Sequence, residues 1–149
     1  MFGWLGLMAV GNAAQPAQLV QLLDDNWRFQ SGEVRQAEAP SCDDNAWRTV
    51  TLPHDWSIEG SFAATNASSW GGGYLPSGVG WYRKTFSLGE SVSGRRVFIE
   101  FDGVMANSDV WINGHHLGHR PNGYVSFRYD LTPYLGFVPV EGSGCRYWS

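Results

Sequence analysis

Three of the chain's four histidines, His115, His116 and His119, fall inside "WINGHHLGHRPNGY", Trp111 to Tyr124. Imidazoles this close together raise the question of a metal centre. The local geometry argues against one. Asn113-Gly114 is a strong hairpin signal, because a type I′ turn needs positive φ at both central residues. His115 and His116 then open the return strand, and adjacent strand residues point to opposite faces. His119 sits near a second turn signal, "RPNG". No cysteine or carboxylate stands at ligand spacing to complete a tetrahedron. The expectation is solvated or sheet-face histidines, and no metal.

"PHDW", Pro53 to Trp56, is the second constellation. An aspartate beside a tryptophan at a strand end suits a sugar: the carboxylate accepts bonds from hydroxyls and the ring covers an apolar sugar face. Asp55 and Trp56 are therefore candidates for substrate binding, with anchoring of the following loop as the competing role. "GGGYLPSG", Gly71 to Gly78, is glycine-rich but lacks the Lys-Ser/Thr ending of a phosphate cradle, and no helix signal follows. It reads as a flexible loop, with Tyr74 at its tip a third candidate for a sugar or inter-domain contact. No cofactor motif is present, so none is expected. Trp81, Tyr82 and Trp111 read as strand aromatics of the core. Arg83 and Lys84 read as surface or interface charges. Cys42 and Cys145 sit in no paired motif and read as free thiols.

The elements that carry these residues are short strands. The 149 residues suit one domain with a real core. With 22 aromatic residues (8 Trp, 6 Tyr, 8 Phe) and 19 glycines, the composition favours strands and positive-φ turns. A net charge of −4 supplies no basic cluster for phosphates, so no nucleic-acid partner is expected. Trp27 and Phe29 alternate, as do Arg48, Val50 and Leu52 before Pro53. Val97, Ile99 and Phe101 share a face, as do Val110 and Ile112, and Val125, Phe127, Tyr129 and Leu131. Gly80 to Leu88 reads as a further strand. Turn signals separate these runs, so an antiparallel sandwich without helices is predicted. Phe2 to Val10 is an apolar run followed by small residues, too short for a membrane span. It resembles the core of an export signal, which predicts an exported protein, periplasmic or secreted.

Three stretches together resemble one family: "WRTVTLPHDWSIEGSF" (Trp47 to Phe62), "GGGYLPSGVGWYRKTF" (Gly71 to Phe86) and "GRRVFIEFDGVMANSDVWINGHHLGHRPNGYVSFRYDLTPYL" (Gly94 to Leu135). Their order and combination resemble the N-terminal sugar-binding domain of family 2 glycoside hydrolases, β-galactosidase-like members in particular. The resemblance implies a jelly-roll β-sandwich, like galactose-binding domains. It also implies an immunoglobulin-like domain and a catalytic (β/α)₈ barrel beyond it, acting by retaining hydrolysis of a β-galactoside or related β-glycoside. In such a family Asp55 and Trp56 would lie on loops that reach toward the barrel mouth. Retaining hydrolysis needs two carboxylates about 5 Å apart. Glu33, Glu38, Glu59, Glu90, Glu100 and Glu141 are scattered with no such pairing. No catalytic residue is assigned, and this polypeptide alone is expected to be inactive.

The family pattern stops after Leu135. It calls for another alternating strand, whereas this chain reads "GFVPVEGSGCRYWS", with Pro139 where a strand should run. The predicted organisation is a signal segment over 1–17, a jelly-roll domain over 18–135, and an aberrant tail over 136–149. The tail is expected to be the product of a truncation or frame shift that costs the sandwich its C-terminal strands and opens a sheet edge. Two other readings remain: a stand-alone carbohydrate-binding module, and a non-enzymatic β-sandwich interaction domain.

Overall fold

The computed structural model describes residues 19–61, 63, 66, 75–89, 92–105, 107–135 and, by their backbone, 143–148. Eight strands run in chain order: β1 Trp27–Ser31, β2 Arg48–Val50, β3 Val79–Lys84, β4 Phe98–Phe101, β5 Ser108–Ile112, β6 His115–Arg120, β7 Phe127–Asp130 and β8 Ser143–Trp148. Two 3₁₀ turns, Ser57–Glu59 and Thr132–Tyr134, are the helical elements described among these residues. The strands form a six-stranded sheet ordered β2-β1-β3-β8-β5-β6 and a two-stranded sheet β4-β7, antiparallel throughout. The all-β sandwich predicted from alternation is the fold observed.

Alternation also assigns the inner faces. Trp27 and Phe29 of β1, Val50 of β2, Tyr82 of β3, Val110 of β5 and Phe127 of β7 close one buried cluster. Ile112, Ile99, Phe86 and Leu131 close a second. Each cluster draws on both sheets, so burying it joins the two layers. The hairpin at Asn113-Gly114 is present, with φ of 50° and 80°. Val125 departs from the expected face: it lies before β7 and is exposed, so the pleat had not yet begun there.

The polar stretch between β1 and β2 covers the outer face of the large sheet. Ala37 and Trp47 pack on Val79 and Trp81 in a third cluster, with Cys42 and Trp111 at its margin. Arg83 fastens this cover. It is buried, not a surface charge: Nε donates to Asp44 Oδ2 at 3.0 Å, and Nη1 donates to the carbonyls of Ala37 and Ala39. A guanidinium in that position is tolerated because its donors and its charge are both matched.

One expectation about the sheet edge is replaced by a different arrangement. Residues 143–148 form β8 in the slot between β3 and β5, so the anticipated open edge there is filled. The physical reason is positional. Pro139 precedes "SGCRYW", and that segment itself holds no proline to interrupt a ladder. Residues 136–142, and the expected signal segment 1–17, lie outside the described residues.

Candidate functional site

β2 ends at Val50, and the chain then turns through a cis Leu52–Pro53 peptide into the 3₁₀ turn. This brings the "PHDW" segment against the ends of β1, β2 and β3. Asp55 is exposed, and its Oδ1 accepts from the Ser57 amide at 3.0 Å and from the Ser57 hydroxyl at 2.6 Å. Those two bonds fix the start of the turn, so this oxygen is engaged locally. Trp56 is half-buried and packs against the Phe29 cluster. Its indole Nε1 is buried without a hydrogen-bond partner. A Cβ at Gly80 would stand 2.9 Å from that nitrogen and 3.2 Å from Phe29 Cε2, so only glycine lets the indole seat there. Tyr74 lies outside the described residues. The structure thus joins Asp55 and Trp56 at one corner.

The same corner holds four residues that spacing did not single out: Arg48, His54, Glu59 and Tyr82. His54 Nδ1 lies 2.5 Å from the Tyr82 hydroxyl. Its Nε2 lies 2.9 Å from Arg48 Nη2 and 3.1 Å from Glu59 Oε1. One ring nitrogen cannot accept from Arg48 and donate to Glu59 at once, so the two bonds belong to opposite tautomers. In either tautomer Tyr82 satisfies the other nitrogen. The His54 ring also meets Phe29 edge-on, with centroids 5.0 Å apart. Arg48 Nη2 donates directly to Glu59 Oε2 at 2.6 Å, and the Arg48 guanidinium lies over the Phe29 ring at 5.2 Å. The signal available in sequence was modest: Glu59 follows His54 by five residues in the turn that follows "LPHDW".

The Arg48 bond, and then the His54 bond, hold the Glu59 carboxyl below the ordinary carboxylate range. A depressed folded pKa adds stability above the ordinary carboxylate pKa, and that stability fades as pH falls through the folded value. Glu59 is partly exposed, so the effect is small. Acid titration of Trp fluorescence is expected to show an unfolding limb below the ordinary carboxylate range. Glu59→Gln is expected to flatten its upper part; an unchanged limb would remove Glu59 from the account.

Between this network and β1 lies a shallow, open depression of about 280 Å³, lined by Phe29, Gln30, Ser31, Arg48, Trp56 and Glu59. It combines aromatic surface, an amide and a neutralised ion pair. The donors and acceptors suit a hydroxylated ligand, and nothing in the set suits a metal.

The histidine hairpin behaves differently from its sequence reading. Pairing of β5 with β6 shifts register between Val110 and Trp111, so that Trp111 faces His116 and Val110 faces Gly118. The extra residue, Leu117, is a bulge that resets the alternation. His116 and His119 therefore meet one carboxylate: Asp109 Oδ1 lies 2.8 Å from His116 Nε2, and Oδ2 lies 3.2 Å from His119 Nδ1. A carboxylate does reach these imidazoles, across the sheet. Among the described residues no group of three or more His, Cys, Asp or Glu is placed to hold a metal ion.

Comparison with known proteins matches this geometry to a family. The sugar-binding domain of glycosyl hydrolases family 2 matches residues 20–139. A β-galactosidase of Bacteroides ovatus, BoGH2A, is 59% identical over 110 residues, which is 74% of this chain and 13% of that protein. A putative β-glucuronidase of Formosa agariphila is 45% identical over 112 residues, 75% of this chain and 11% of that protein. A β-glycosidase structure from Bacteroides vulgatus superposes with a TM-score of 0.75 at 46% identity, covering 83% of this chain and 16% of that one. A family 2 member from Bacteroides cellulosilyticus gives 0.79 at 36% identity, covering 85% and 17%. This chain thus corresponds to a small part of each relative. It belongs to glycosyl hydrolases family 2, as the sugar-binding domain of that family.

Proposed function

We propose that this domain serves a retaining β-glycosidase of the β-galactosidase type, exported from a bacterial cell, whose catalytic glutamates lie outside these 149 residues. Its role is to present sugar-contacting loops and to support the catalytic domain. The 59% identity to a β-galactosidase carries the reading, against 45% to a putative β-glucuronidase. Asp55, Trp56 and Tyr74 are the proposed loop contacts. The immunoglobulin-like and barrel domains implied by the family resemblance are the proposed partners.

A domain exchange tests this. Residues 20–139 replace the corresponding domain of the Bacteroides ovatus enzyme. The chimera is expected to hydrolyse an aryl β-galactoside and to spare the aryl β-glucuronide, while the 149-residue chain alone hydrolyses neither. A folded chimera without galactosidase activity would overturn the proposal.

A further inference from the structure

Asp55 spends one oxygen on Ser57, and the Trp56 indole nitrogen points at Gly80. Neither atom faces a ligand freely. What the corner does offer is the depression beside them. From it we infer that the domain binds a neutral pyranose ring at the Phe29–Gln30–Ser31–Arg48–Trp56–Glu59 depression. This rests on the sugar-binding reading and narrows it to a place and a charge class.

Glu59 is the acceptor. Arg48 and His54 keep it ionised and fix its position, and an ionised carboxylate accepts strong bonds from hydroxyl groups. The Gln30 amide and the Arg48 guanidinium supply donors at the rim. Trp56, half-buried and backed by the buried Phe29 ring with centroids 6.3 Å apart, supplies the apolar surface for the C–H face of a ring. At about 280 Å³ and open to solvent, the depression has room for one ring at most and not for a long chain. The charges cancel: Arg48 is already paired with Glu59 at 2.6 Å. A uronic acid would set its own carboxylate beside Glu59 with no unpaired cation among the lining residues. A neutral hexose meets no such repulsion.

Amide and indole chemical-shift mapping of the ¹⁵N-labelled 149-residue chain tests the inference, using methyl β-galactoside and methyl β-glucuronide as probes. The galactoside is expected to shift Gln30, Ser31, Arg48 and the Trp56 indole. The glucuronide is expected to bind at least about tenfold more weakly. Glu59→Gln, at an exposed site, is expected to keep the folded spectrum and to weaken the galactoside about tenfold. Shifts elsewhere, no shifts, equal binding of the glucuronide, or an unaffected Glu59→Gln would each overturn it. Activity of the chimera is measured separately. An active chimera with an empty depression refutes this site and leaves the domain's role standing.

Discussion

Arg83→Ala is expected to destabilise the fold by about 3 kcal/mol, with a fall in Tm of roughly 10 °C. The loss comes from abandoned partners. Ala37 is fully buried, and its carbonyl loses the guanidinium that satisfies it. The Ala39 carbonyl and the Asp44 carboxylate lose theirs too. An orphaned buried acceptor costs about 1–3 kcal/mol, and a partly buried unpaired carboxylate adds to that. Asp44 keeps some access to water, which limits the total. Thermal unfolding by circular dichroism reads the loss. The double variant Arg83→Ala/Asp44→Ala should cost less than the sum of the single changes, because each removes the same bond. Strict additivity would refute the pairing.

Removal of residues 143–148 is expected to abolish cooperative folding. β8 is the strand on which β3 and β5 both pair, over six and four residue pairs respectively. Without it the large sheet divides into β2-β1-β3 and β5-β6. Each piece would then present an unsatisfied edge, and a two-stranded ribbon is marginal in water. Loss of dispersion in the amide spectrum, with growth of large species in light scattering, is the expected outcome. A sharp spectrum and a clean monomer would show that the ladder to β8 is dispensable.

The two sheets were legible because alternation is a local property. Trp27 with Phe29, Val110 with Ile112, and Ile99 with Phe101 declare their inner faces without reference to any partner. The Asn113-Gly114 turn was legible for the same reason. What escaped depends on contacts distant in sequence. Arg83 reads as a surface charge until the stretch carrying Ala37 and Asp44 folds over it. His116 and His119 read as unrelated, one on the return strand and one near a second turn, until the Leu117 bulge brings both to Asp109. A bulge is set by how two strands fit, and single-strand periodicity cannot foresee it. At the candidate site, "PHDW" supplies one of the segments that build the corner. The Arg48–His54–Glu59–Tyr82 network there needs three separate segments to meet.

The place of β8 in the sheet also sets a timetable for synthesis. A ribosome releases β3 and β5 well before β8, on the order of seconds apart at ordinary elongation rates. Over that interval the nascent chain carries one gap in the large sheet, with the unpaired edges of β3 and β5 on either side. The hairpin β5-β6 can form early, since its partners are near in the chain, and β1 has its partner β3 available before β8 is made. The closing event waits for the strand made last among the eight. Shielding of that slot during translation therefore favours folding over edge-to-edge association.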